Sequence, residues 1–306
     1  MVARLITFMS QLDEGVLMKL RLVVLITILW NLHEVYGQVT VEPRNKIELE
    51  IKITISRSDS DYAYSYLIGN SGTAKQSIWT IDLLPPNLVK VQNLRSPLHW
   101  NKVIFEDSSL VVRWNAQAQD DIDAFKDEIK PGTSRSGFSF NSVSPPGIIS
   151  YYSEGWADPP KFLPGMATDS IPGYSDLTPY GPGIVGKTVG PVLPPDPFVA
   201  ADFLDTLASY KHQAASLSWV GQEGFLRQLD EKLDQARDQL SKGHIKQARD
   251  KTEEFVKKLE NEAKKTEKDQ DKKNDKKWVT SEGYALLKFN AEYLIEKLDE
   301  QITKKK

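Results

Sequence analysis

From Ile47 to Ile55 apolar and polar residues alternate without a break, Ile-Glu-Leu-Glu-Ile-Lys-Ile-Thr-Ile, as a strand buried on one face requires. Tyr62, Tyr64, Tyr66 and Ile68 repeat the pattern. Asn70-Ser71-Gly72 is a turn signal, so this strand and Ser77–Leu83 read as a hairpin. Further short strands are expected at Val89–Val91, Val103–Phe105, Leu110–Trp114, Gly137–Phe140, Ile148–Tyr152 and Ile184–Val189. Many short strands punctuated by Pro- and Gly-bearing turns predict an antiparallel β-sandwich, broadly immunoglobulin-like.

Beyond Pro197 the period changes from two to that of a helix. Phe225, Leu229, Leu233, Ala236 and Leu240 form one stripe, and Gly243 closes that helix as a C′ residue. A second stripe runs Ile245, Ala248, Thr252, Phe255, Val256, Leu259 and Ala263. A third runs Tyr284, Leu287, Ala291, Leu294 and Leu298 behind an N-cap signal at Thr280-Ser281-Glu282. With a preceding helix from about Val199 to Gln213, short connections predict an antiparallel bundle.

Composition places the boundary between the two patterns. Residues 38–190 hold the Tyr, Trp, Ser, Pro and Gly of the sandwich and of a Pro/Gly-rich segment wrapped around it; 191–197, Pro191 to Pro197, reads as a semi-rigid linker. Residues 198–302 hold the bundle, so the chain is an α+β multidomain protein whose halves are expected to fold separately. The charged segment Lys264–Lys277 carries both signs and reads as a solvated excursion. The 306 residues have 39 Lys and Arg against 42 Asp and Glu, which gives no basic patch for nucleic acid.

The first 37 residues read as a targeting region. Met18-Lys19-Leu20-Arg21 precedes the apolar run Leu22–Trp30, too short to span a hydrocarbon core of ~30 Å but of h-region length, and Val35-Tyr36-Gly37 offers a cleavage site. The true start is expected at Met18 and the mature chain at Gln38; an uncleaved signal would instead leave a membrane anchor. The expected location is secreted, extracellular or periplasmic. Absence of cysteine excludes thiol catalysis, cysteine-ligated metals and disulfides.

The run Leu240-Ser241-Lys242-Gly243-His244-Ile245-Lys246-Gln247-Ala248, then Phe255-Val256 and Leu259, Trp278–Leu287 and Leu294–Leu298, resembles the FIMAH-type helical module of secreted bacterial proteins. The resemblance spans about residues 225–298 and implies a non-catalytic accessory module, with no catalytic residue to carry over. It departs from the pattern in a longer charged loop. No family is recognised for the β region.

Chemistry-bearing patterns are few. Gly181–Thr188 fits the P-loop spelling G-x-x-x-x-G-K-[ST], but prolines precede it and Gly190-Pro191 follows, so the strand and helix that cradle phosphate are not expected. Gly132–Gly137 misses the nucleophile-elbow spacing by one residue. His99, His212 and His244 stand far apart. Asp120, Asp121 and Asp123, with Asp127 and Glu128, could supply oxygens to calcium, although an acidic solvated loop explains them as well. Trp156, Tyr174 and Tyr180 could stack on sugar rings. Against that, Trp79, Trp100, Trp114 and Trp156 are expected to fill the core.

These readings call for no cofactor and no catalytic residue. They point to an exported structural or interaction protein whose partner is a cell-surface protein or polysaccharide. A carbohydrate-binding accessory protein is the alternative, and a hydrolase with two converging carboxylates is the third.

Overall fold

The computed structural model describes residues 43–58, 61–116, 127–156, 183–268 and 279–304. The signal region, Asp120, Asp121, Asp123, Tyr174, Tyr180 and most of the charged segment after Lys268 lie outside them. Among the described residues nine strands come first: β1 (Leu49–Ser58), β2 (Asp61–Asn70), β3 (Ile78–Leu84), β4 (Gln92–Arg95), β5 (Asn101–Glu106), β6 (Leu110–Asn115), β7 (Ser134–Ser142), β8 (Pro146–Gly155) and β9 (Ile184–Pro191). Four helices follow: α1 (Ala200–Ser216), α2 (Glu223–Ser241), α3 (Ile245–Lys268) and α4 (Ser281–Lys304).

The strands form two antiparallel sheets, ordered β1-β2-β7-β4 and β5-β6-β3-β8-β9. The alternation seen in the sequence turns Ile53, Ile55, Tyr64, Tyr66, Phe138 and Phe140 to one face of the first sheet. Trp114 of the second sheet packs against Tyr66, Phe138 and Phe140, with ring centroids 6.1, 5.6 and 6.3 Å away. Buried hydroxyls are placed with equal care. Tyr64 Oη donates to Ser144 O at 2.8 Å and Tyr66 Oη to Val189 O at 3.0 Å, so these polar tips stay satisfied inside the core.

The expected hairpin across Asn70-Ser71-Gly72 is not formed. β2 pairs with β1 and β7, whereas β3 pairs with β6 and β8, so the turn carries the chain from one sheet to the other. Asn70 fastens that crossing by donating from Nδ2 to Gln76 O and Ile129 O. Val89 and Val91 are buried as expected, but the strand begins after them, at Gln92, where the chain reaches β7. Trp100 and Trp114 fill the core; Trp79 and Trp156 are only partly buried and meet edge to face at 5.7 Å.

All three helical stripes are buried along most of their length. Gly243 adopts φ 73°, the left-handed conformation a glycine reaches at no steric cost, and so ends α2. Thr280 Oγ1 accepts from Gly283 N at 3.3 Å at the start of α4. Gly283 is needed for a second reason: a Cβ there would lie 2.5 Å from Trp219 O.

α4 buries more than the predicted stripe, because Ala285, Leu286, Phe289 and Asn290 are buried too. Leu287, Ala291, Leu294 and Leu298 belong to the predicted stripe. Phe289 and Asn290 of these additional residues meet the sandwich. Phe289 packs edge to face on Tyr62 at 6.0 Å, Asn290 Nδ2 donates to Pro146 O at 2.6 Å and to Leu286 O at 2.7 Å, Ser281 Oγ accepts from Ile53 N at 3.2 Å, and Glu296 pairs with Arg57. α4 thus lies against β1 of one sheet and β8 and β9 of the other. Sandwich and helices belong to one compact unit, Arg44–Ala157 with Pro182–Lys306. The segment read as a linker starts inside β9, and Val192 N donates back to Pro145 O at 3.0 Å.

Candidate functional site

The outer face of the five-stranded sheet carries the densest set of buried charges. Register places Val103, Arg113, Asp82, Tyr152 and Val185 in one row across all five strands. Asp82 is 0% exposed, and Arg113 holds it with a two-pronged contact, Nε to Oδ1 at 2.7 Å and Nη2 to Oδ2 at 2.6 Å. A planar guanidinium matches both carboxylate oxygens at once, which makes this the strongest form of the pair. The guanidinium also sits 5.4 Å over the Phe105 ring.

The adjoining row contains Asn115, Thr80 and Glu154. Tyr152 Oη donates to Glu154 Oε1 at 2.7 Å, and Arg44 Nη1 donates to Oε2 at 2.9 Å. Burial above all, then the hydrogen bond to Glu154, pushes the Tyr152 phenol up from its ordinary value. The phenol therefore stays protonated and keeps donating. Both carboxylates of this face are thus fully engaged by arginines or a phenol. A buried carboxylate fixed in this way positions strands and holds charge; a general acid or base needs a proton it can exchange with substrate.

Next to this face, the P-loop spelling falls largely on β9: Ile184 to Thr188 are strand, Lys187 Nζ donates to Ser150 Oγ at 2.9 Å, and Thr188 is buried. The chain continues as strand to Pro191, and the next helix begins at Ala200. Backbone amides of this segment serve the β8 ladder, so they do not converge on a phosphate.

A second feature is a groove of about 580 Å³ where β1 faces α3 and α4. Ile51, Ile55, Ala263, Tyr284 and Phe289 give it apolar walls, and Lys52 and Lys264 stand among its lining residues. Ser281, whose Oγ accepts from Ile53 N, is among its lining residues.

Of the remaining expected residues, several lie outside the described ones. Trp156 stands beside Trp79 and is partly buried, with Arg44 5.3 Å over the Trp79 ring, and its intended partners Tyr174 and Tyr180 lie outside the described residues. Of the acidic run, Asp127 accepts from Arg135 Nη1 at 2.9 Å, while Asp120, Asp121 and Asp123 lie outside. No cluster of three or more His, Asp or Glu side chains suited to a metal occurs among the described residues. His99 lies 3.9 Å from Asp127, and His244 contacts Gln239 at 3.1 Å; the histidines do not meet. Among the described residues no helix is long and apolar enough to cross a membrane.

The helical region matches the FIMAH domain. The match covers residues 204–273, hence most of α1 with α2, α3 and the start of the following connection. The FIMAH module expected from the sequence is therefore present, and it begins earlier than expected, inside α1. Trp278–Leu298, also part of the expected resemblance, falls beyond the matched residues. Within the FIMAH module the charges are mostly at the surface: Lys232 and Lys251 both bind Glu254, at 2.8 Å each, and hold its carboxyl down to about 2. Lys211 is an exception, a buried ammonium on α1 paired with Asp230 of α2.

No curated protein matches the chain. Among solved structures it is similar to an uncharacterized protein from Nocardia farcinica described as revealing an immunoglobulin-like fold, at 9% identity and a TM-score of 0.27, covering 47% of this chain and 98% of that one.

Asp82, Arg113, Glu154 and Arg44 escaped the sequence reading. For the three on strands, the one signal was charge within otherwise apolar strands, as in Leu-Val-Val-Arg-Trp of β6.

Proposed function

We propose that this chain is an exported, non-catalytic interaction protein of a bacterial cell surface or periplasm. The observation that carries the reading is that the two buried carboxylates of the outer sheet face, Asp82 and Glu154, are occupied by Arg113, Arg44 and Tyr152. The FIMAH match at residues 204–273 and the signal-like residues 18–37 support the same reading. In it the sandwich and the FIMAH module present surfaces to a cell-surface protein or polysaccharide, and the buried ion pairs keep those surfaces rigid.

Expression of the full chain in a bacterial host, followed by fractionation and mass spectrometry of its N-terminus, tests the export half. The expected product begins at Gln38 and is recovered outside the cytoplasm. Cytoplasmic recovery with Met1 or Arg21 still attached overturns it. Incubation with panels of glycan, ester and peptide substrates tests the rest: turnover lost in Glu154→Gln while the fold is retained would make the protein a hydrolase.

A further inference from the structure

Among the described residues β5 ends the five-stranded sheet, and most of its residues are open to solvent: Val103 is 40% and Phe105 45% exposed, and Lys102 and Glu106 are exposed as well. Such an edge carries unpaired backbone groups and is a ready template for another strand. Exposed charge commonly blunts an edge of this kind, yet here the two charges are of opposite sign and four residues apart. Neither Lys102 nor Glu106 has an ion pair or side-chain hydrogen bond among the described residues.

We infer that two copies of this chain associate by antiparallel pairing of β5 with β5, with Ile104 on the two-fold axis. The sequence Asn101-Lys102-Val103-Ile104-Phe105-Glu106 is self-complementary in that register. Lys102 then faces Glu106 of the partner subunit, and Glu106 faces Lys102 of the partner subunit. Val103 faces Phe105 of the partner subunit in the same doubled way. Moving the axis to Val103 sets Lys102 against isoleucine and Asn101 against phenylalanine; moving it to Phe105 sets Glu106 against isoleucine. Axes between residues join the outer face of one copy to the inner face of the other, because side chains alternate with a period of two. One register alone therefore matches charge with charge and apolar with apolar.

In this arrangement the two five-stranded sheets become one continuous sheet, closed by symmetry so that no further copy can add at the same edge. Arg113 of β6, pinned by Asp82, stacks over Phe105 on the same face of the sheet. The association is independent of export.

Sedimentation of the full chain across roughly 1 to 100 µM, the range suited to a small interface, should show a reversible dimer. Lys102→Glu and Glu106→Lys each set like charges opposite one another twice, and each should weaken self-association by about tenfold or more. Mixing the two variants should restore dimers, because each charge then meets its opposite. Both side chains are exposed, so circular dichroism should be unchanged. A monomer throughout the range, a dimer indifferent to either substitution, or no recovery on mixing would overturn the proposal.

Discussion

The two long sides of the sandwich are finished by different means. Where β1 and β9 end their sheets, α4 lies against both, fills the gap with Phe289 and answers backbone groups with Ser281 and Asn290. Where β4 and β5 end theirs, no helix among the described residues packs extensively, and Trp100, after the link from Ser96, is buried in the core. Trp100 Nε1 reaches Asp127 O at 2.9 Å and Trp114 Nε1 reaches Arg95 O at 2.9 Å, so this side is sealed by two indoles and their hydrogen bonds. One side couples the sandwich to the FIMAH module, and the other, among the described residues, ends in strand edge. Stability should therefore concentrate at one side and association at the other.

Deletion of α4 breaks the comparison most severely. A chain ending at residue 278 loses the partner of Tyr62 and Ile53 and the face against which α3 packs. It should lose its cooperative thermal transition, measured by circular dichroism, and should expose enough apolar surface to bind ANS. If the sandwich instead melts unchanged, the two regions fold separately, as composition alone suggests.

Phe289→Ala applies the same stress to one residue. A buried phenylalanine removed from a packed site leaves a cavity, and the loss should be about 3–5 kcal/mol in urea unfolding. Asn290→Ala should cost less, about 1–3 kcal/mol, chiefly because Pro146 O loses the amide that satisfies it inside the structure. A cost near zero for Asn290→Ala would mean that water reaches Pro146 O, and hence that α4 is less closely seated than described.

Particular residues explain how much of this was legible. The strand alternation at Ile47–Ile55 and the stripes of α2 and α3 report one-sided burial, and both lead directly to the right elements. The predicted α4 stripe was real but incomplete. Phe289 and Asn290 lie off it and reach a second partner, which a single-period reading treats as noise. The supposed hairpin failed because a turn signal fixes a change of direction and not the strand that the chain pairs with next. The buried charges were least visible: Arg44 and Glu154 are 110 residues apart and Asp82 and Arg113 are 31 apart, so only the folded register brings them together.

Phe105→Ala makes the smallest and most discriminating change, since it removes the same ring from the β5 side that Phe289→Ala removes from the α4 side. Phe105 is 45% exposed and its main identified contact is the Arg113 guanidinium, a cation–π interaction of about 0.5–1 kcal/mol at an exposed site. Asp82 still holds Arg113 by two hydrogen bonds after the ring is gone, so the arginine does not become an unpaired buried charge. Urea unfolding should therefore shift by no more than about 1 kcal/mol, against several for Phe289→Ala. A loss above about 2 kcal/mol would show that β5 is buried in the folded chain, and the contrast between the two sides of the sandwich would fail with it.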